Sequence, residues 1–239
     1  MARMSALGKR VRPAMTHVMP QLLILAALAD EADALFAGQG ESVAAAPFPA
    51  RRVGGVTIVT CGLGKVNAAT AAALWTERVQ PAALLMSGTC GRLTDIAGDS
   101  FWLAQAVQHD YGAARPDGFS VYPAGDWPMG DAADRPFAAM PDPGLGLPHA
   151  RIASGDAFVE DPELAARLIA MGCALVDMEV AAVAQVAAAL GLPWAAVKAT
   201  TDDANGASAG DFNANLRTAA ARAAAAVERL ATRLSQSPG

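Results

Sequence analysis

Apolar positions in this chain fall into short runs of strand length, each closed by a turn or an acid and followed by a helix-forming segment. Gln21 to Leu28 is the first run, and Ala29-Asp30-Glu31-Ala32-Asp33 then opens a short helix to about Ala37. Gly55 marks a turn, Val56 to Cys61 a second strand, and Gly62-Leu63-Gly64-Lys65-Val66-Asn67 leads into a helix to about Val79. Pro81 restarts the chain; Ala82 to Met86 is a third strand, ending in Ser87-Gly88-Thr89-Cys90-Gly91. Phe101 to Val107 reads as a fourth, with His109 and Asp110 after it; His109 is read as a structural hydrogen-bonder. Residues 112–150 are rich in Pro, Gly and Asp and have no period, so they read as a pocket-covering loop or a flexible excursion.

Arg151 to Ala153 predicts a short strand, and Asp161-Pro162-Glu163 starts a helix to Met171: Asp as N-cap, Pro at the first helical position, Glu in the first turn. Ala174 to Val176 is a buried strand that passes through Asp177-Met178-Glu179 into an alanine-rich helix ending near Leu190. Pro193 to Thr200 is a further strand. The last helix spans about Asp211 to Leu234, with Leu216, Ala220, Ala223, Val227, Leu230 and Leu234 on one seam and Arg217, Arg222, Arg229 and Arg233 off it. Strands alternating with helices predict an α/β fold, a single domain over 21–235 with a mostly parallel sheet covered on both faces. Residues 1–20, basic and without a long apolar centre, read as a loose N-terminal tail.

Composition narrows the function. With 53% apolar and 17% charged residues in 239, the chain buries a sizeable core. A net charge of −5 argues against a nucleic-acid partner, and no apolar run reaches membrane-spanning length. Cys61, Cys90 and Cys173 have no metal spacing and one is odd under any pairing, which fits reduced thiols in a cytoplasmic protein. No metal site and no cofactor are expected; the glycine turn lacks a dinucleotide fingerprint's third glycine, having Asn67 there, and a P-loop would need Gly at Val59 and Ser or Thr at Val66.

What remains is a set of acids. Glu31, Glu179 and Asp202 each follow a predicted strand, and glycine-rich turns follow two more. For Asp177 capping of the helix is an equal reading, and for Glu179 placement at the positive helix end is the lesser one. In a parallel sheet, however, such ends converge on one edge, where α/β sheets bind ligands. Three carboxylates without metal ligands suit acid–base work on a polyhydroxylated substrate. Glycosidic cleavage needs one group to protonate the leaving group, one to activate water, and acceptors for sugar hydroxyls.

Six motifs in order carry a family resemblance: Asp30-Glu31, Gly62-Leu63-Gly64-Lys65-Val66, Gly88-Thr89-Cys90-Gly91, Ser154-Gly155-Asp156-Ala157-Phe158, Met178-Glu179 and Thr201-Asp202. From about Leu22 to Leu230 the chain resembles the nucleoside phosphorylase/nucleosidase superfamily, and within it the bacterial 5′-methylthioadenosine/S-adenosylhomocysteine nucleosidases. The resemblance implies a twisted mixed sheet, partly closed into a barrel and flanked by helices, and a homodimer. It implies a purine nucleoside as substrate, with hydrolysis to adenine and a ribose derivative. Asp202 would protonate the base and Glu31 activate the water. Glu179 would accept from ribose hydroxyls, with Met178 packed on the sugar. Phe158 would stack on the purine, with backbone at Ala157 and Phe158 reading its edge. Thr89 would lie near ribose and water, and Phe212 would belong to a closing loop. Lys198 stands where the nucleosidases carry a pocket Arg, and Thr89-Cys90-Gly91 is closer to the phosphorylases.

The alternatives are a phosphate-dependent purine nucleoside phosphorylase, a futalosine-type nucleosidase, and a non-catalytic nucleoside-binding module; a dinucleotide-dependent oxidoreductase lacks its third glycine. A phosphorylase must hold a phosphate dianion, for which Arg is the natural tool. The hexameric phosphorylases have Arg where this chain has Met86, and Arg in the loop where it has Ala29-Asp30-Glu31-Ala32. Lys65, Arg92 and Lys198 are the cations that could compensate, and the sequence favours hydrolysis.

Overall fold

The computed structural model describes residues 21–116, 118–204 and 208–236; the predicted tail at 1–20 lies outside the described residues. The chain opens with β1 (Leu22–Ala26), whose side chains alternate between two apolar layers, and turns at once into the short helix α1 (Ala29–Ala34). A hairpin, β2 (Glu41–Ala44) and β3 (Ala50–Val53), then leads to β4 (Val56–Thr60). The apolar pattern missed this hairpin because β2 is almost wholly solvent-facing and carries no buried alternation. Helix α2 (Lys65–Val79) follows, then β5 (Ala83–Arg92) and β6 (Ser100–Gln108). The segment read as a loop holds three short strands: β7 (Gly112–Arg115) and β8 (Gly118–Val121), a separate hairpin, and β9 (Phe137–Ala138), paired with β6. After β10 (His149–Ser154) come α3 (Pro162–Ala170), β11 (Leu175–Asp177), α4 (Val180–Leu190), β12 (Trp194–Asp202) and α5 (Ser208–Gln236).

The main sheet is mixed. Its order is β11-β10-β6-β12-β5-β1-β4-β3-β2. β5 lies parallel between β1 and β12, and β10 parallel between β6 and β11. Antiparallel pairing appears in the β2–β3–β4 edge, between β12 and β6, and where Gly91 and Arg92 at the end of β5 meet Val176 and Leu175 of β11. That last pairing closes a ring, β5–β12–β6–β10–β11–β5, which is the partial barrel that the resemblance implies. Both β5 and β12 run several residues past their apolar stretches. Small and polar residues stay in strand conformation there because neighbours on both sides take up their backbone hydrogen bonds.

One face is covered by α2 and α4, whose Ala68, Ala71, Ala72, Trp75 and Val180 to Ala184 pack with Leu23, Leu25, Leu84 and Met86. The other is covered by α5, by α1 and by the turn after α1, through Ala224, Val227, Leu230, Ala32 and Leu35 against Ile24, Leu85 and Val197. The α5 seam is buried at Ala220, Ala223, Val227 and Leu230 and half-buried at its ends, Leu216 and Leu234, while Arg217, Arg222, Arg229 and Arg233 are exposed. Alanine on the helix faces lets them sit close to the sheet, a packing that small side chains permit. Asp161 caps α3 by accepting from the Glu163 amide at 3.0 Å, and Gly191, at φ +67°, ends α4.

Candidate active site

Chain segments at the carboxyl ends of β1, β4, β5, β10, β11 and β12 meet around a cavity of about 290 Å³. Its walls include Glu31, Thr89, Ala157, Phe158, Met178, Glu179, Asp202 and Phe212, so every expected site residue but one lies on a single pocket. The sheet brings them together by register: β5 is parallel to β1 on one side and to β12 on the other, with Asp202 opposite Gly91.

Glu31, 2% exposed, is held by four donors. Oε2 accepts from the Ala27 and Leu28 amides at 3.0 and 3.1 Å, and Oε1 from the Thr89 amide and hydroxyl, both at 2.8 Å. Gly88 is what admits the carboxylate so close to β5, since a Cβ there would lie 2.8 Å from Oε1. Three of the four donors are fixed amides; only the Thr89 hydroxyl can turn away and free an oxygen lone pair.

Asp202, at the end of β12, accepts from the Thr201 hydroxyl at 2.8 Å and the Ala204 amide at 2.9 Å. Phe158 and Phe212 meet edge to face at 6.0 Å between centroids, forming an aromatic corner on the pocket rim.

Glu179 is the N-cap of α4, yet its side chain caps nothing on that helix. Its Oε1 accepts instead from the Gly64 amide at 2.9 Å, and its Oε2 lies 3.6 Å from Lys198 Nζ. Burial pushes its carboxyl up to about 7; Lys198 and the Gly64 amide restrain the rise, and Asp177 and Glu31 add to it. The capping expected of Asp177 is real in another form: it accepts from Val180 N at 3.1 Å and from the Ser154 hydroxyl at 2.5 Å.

Lys198 is the exception among the expected site residues. It is fully buried but off the pocket wall, behind Glu179, with Nζ 3.0 Å from Asp177 Oδ2. Burial disfavours its charge, but Asp177, Glu179 and Glu31 together more than offset that and raise its pKa. It is correctly described as the countercharge of two carboxylates rather than a substrate ligand. His109, expected to be a structural hydrogen-bonder, has no partner at Nε2 among the described residues; burial lowers its pKa, and the ring packs on Gly155, where a Cβ would fall 2.2 Å from Nε2. Cys90 lines the pocket, but burial raises its pKa and keeps the thiol protonated. Among the described residues no cluster could hold a metal ion, and no helix is long and apolar enough to cross a membrane.

Sequence reading missed Leu63 and Asn213 on the pocket wall, and the Ser154–Asp177–Lys198 cluster behind it. For Leu63 the signal was there, in the Gly62-Leu63-Gly64 turn at the end of a predicted strand. For the cluster it was not, since its partners are 23 and 21 residues apart on different strands.

Glu31, Asp177, Glu179 and Asp202 all line the cavity, and no Lys, Arg or His does so among the described residues. What fold and pocket define is an α/β acid–base site, a cavity at the strand ends walled by carboxylates that can accept from hydroxyl groups. The chain belongs to the phosphorylase superfamily, whose family model matches residues 25–232. It is 30% identical to the 5′-methylthioadenosine/S-adenosylhomocysteine nucleosidase of Geobacillus thermodenitrificans over 80% of this chain and 85% of that protein. Among solved structures it resembles the nucleosidase of that name from Neisseria meningitidis, crystallised with methylthio-immucillin-A, with a TM-score of 0.75 and 25% identity over 90% of this chain and 99% of that one. Futalosine hydrolase from Helicobacter pylori shares the fold, with a TM-score of 0.77 and 22% identity over 91% of this chain and 100% of that one.

Proposed function

We propose that the protein hydrolyses the N-glycosidic bond of 5′-methylthioadenosine and S-adenosylhomocysteine, releasing adenine and the 5-substituted ribose. Asp202, carrying a proton, gives it to N7 of the purine as the C1′–N9 bond breaks and its electrons pass to the base. Water adds to C1′ from the side of Glu31, whose Oε1 takes the water proton once the Thr89 hydroxyl has turned away. Glu179 accepts from the ribose hydroxyls, Met178 packs on the sugar, and Phe158 stacks on the purine while backbone at Ala157 and Phe158 reads its edge. Phe212, in edge-to-face contact with Phe158, closes the rim.

The observation that carries hydrolysis over phosphorolysis is the state of the three cations a phosphate would need. Lys65 is paired with Asp110, Lys198 with Asp177 and Glu179, and Arg92 donates to the Gly98 carbonyl and Thr200 and faces Asp203 at 3.7 Å. None lines the pocket, and carboxylates that do, Glu31 and Asp177 among them, would repel a dianion. The 30% identity to a methylthioadenosine/adenosylhomocysteine nucleosidase supports the same substrate class.

The protein further works as a cytoplasmic homodimer in methionine salvage. Three buried unpaired cysteines support a reducing compartment, and Leu63 and Phe158, about half exposed at the pocket mouth, support cover by a second copy. The test is adenine release from 5′-methylthioadenosine with and without phosphate, with the sugar product identified. Free methylthioribose without phosphate is expected; a sugar 1-phosphate formed only with phosphate would overturn the reading.

A further inference from the structure

The glycine turn before α2 has a feature the proposed chemistry does not use. Gly64 is the N-cap of this helix and has no side chain with which to cap it. Its first amides are capped by carboxylates from two other segments of the chain: Gly64 N donates to Glu179 Oε1 at 2.9 Å, and Lys65 N to Asp156 Oδ1 at 2.7 Å. Gly64 has φ +92°, and a Cβ there would lie 3.1 Å from Asp156 Oδ1, so glycine permits both contacts.

The side chain of Lys65 then returns to the same place. Its Nζ pairs with Asp110 Oδ1 and donates to Gln108 Oε1 at 3.2 Å, at the end of β6. The other oxygen of Asp110 accepts from Asp156 N at 2.8 Å. Lys65, Asp110 and Asp156 thus form a closed ring joining the start of α2, the end of β6 and the turn that carries Phe158. Burial alone would raise the Asp110 carboxyl, but the bonds from Lys65 and Asp156 outweigh it and hold it below its ordinary value. Gln108 continues to Gln185 on α4 at 2.6 Å, the helix that begins at Glu179. An exposed ion pair would be worth little, but Lys65 and Asp110 are only 17% and 31% exposed, and each bonds to more than one partner.

We infer that Lys65 is a positioning residue for Glu179, fixing the Gly64 amide that aims the carboxylate at the ribose hydroxyls. This rests on the proposed nucleosidase activity. Gly64 N is the nearest donor to Glu179, since Lys198 Nζ stands off at 3.6 Å. A loosened α2 turn therefore costs Glu179 its direction while leaving Asp202 and Glu31 in place, and the loss falls on ribose binding.

The experiment compares wild type, Lys65→Met and Lys65→Arg on 5′-methylthioadenosine and on its 2′,3′-dideoxy analogue, with melting temperatures alongside. Lys65→Met is expected to raise KM for methylthioadenosine about tenfold, the weight of one charge-assisted hydrogen bond, with kcat within roughly threefold of wild type. Lys65→Arg, which keeps the charge, restores KM to within about threefold. On the dideoxy analogue, which offers Glu179 no hydroxyls, Lys65→Met and wild type differ by less than about twofold in kcat/KM, because the coupled group is absent. An unchanged KM on methylthioadenosine, or an equal loss on both substrates, overturns the inference while the activity itself stands. A wild type inert on methylthioadenosine is a different failure, seen before any variant is compared, and removes the activity and the inference together.

Discussion

Glu31→Gln separates the folding role of Glu31 from its chemical one, because glutamine keeps the shape and exchanges one acceptor oxygen for an NH2. Oε2 accepts from Ala27 N and Leu28 N, and Oε1 from Thr89 N and the Thr89 hydroxyl. With its NH2 toward Ala27 and Leu28, the glutamine faces two amides that cannot reverse. With its NH2 toward Thr89, the hydroxyl turns round and accepts, and only the Thr89 amide is stranded. The second arrangement wins, and one buried unpaired N–H costs about 1–3 kcal/mol. At roughly 2–4 °C per kcal/mol for a domain of this size, the melting temperature falls by about 2–12 °C. Loss of the general base lowers kcat by about 10²–10⁴. Thermal unfolding by calorimetry and adenine release read the two effects. An unchanged melting temperature would show that the carboxylate does not take four bonds. Turnover within threefold of wild type, a barrier change of roughly 0.7 kcal/mol, would remove Glu31 as the base.

Asp202→Asn is the contrasting case. Its oxygen can face the Ala204 amide and its NH2 the Thr201 hydroxyl, so no donor is stranded and stability stays within about 1 kcal/mol, while turnover drops by about 10²–10⁴ for want of the proton; a large fall in melting temperature would contradict the hydrogen-bond assignment. Gly88→Ala would put a Cβ 2.8 Å from Glu31 Oε1, displacing the base and lowering kcat by roughly 10² with KM little changed; a normal kcat would mean that β5 yields instead. Glu179, pushed up to about 7, is charged above that pH and neutral below it, so KM for the nucleoside rises as pH falls from 8 to 6 and recovers on return; a flat KM profile would deny it a charged role at the ribose. Lys198→Met strands two buried carboxylates at a cost of about 3–5 kcal/mol and moves the KM transition to higher pH; an unchanged melting curve would show that Lys198 is not their countercharge.

The sequence by itself determined the alternation of strands and helices, the acids and glycines at the strand ends, the helix start at Asp161-Pro162 and the helix stop at Gly191. These are local: a period of two or 3.6, a cap, a glycine at positive φ are each written within a few neighbouring residues. Where no such signal exists the reading stopped short, as at the exposed β2–β3 hairpin and the three strands within 112–150. It also ended β5 and β12 too early, because their last residues are polar and are held as strand only by their neighbours. Glu31, Glu179 and Asp202 were legible as acids after strands, but not who holds them. Glu31 is saturated by an amide and a hydroxyl 58 residues away, Glu179 by an amide 115 residues away, and Lys198 is drawn behind the pocket by Asp177. Which donors surround a buried charge depends on parallel register and on ring closure through β11, and these bring distant segments within 3 Å only once the chain has folded.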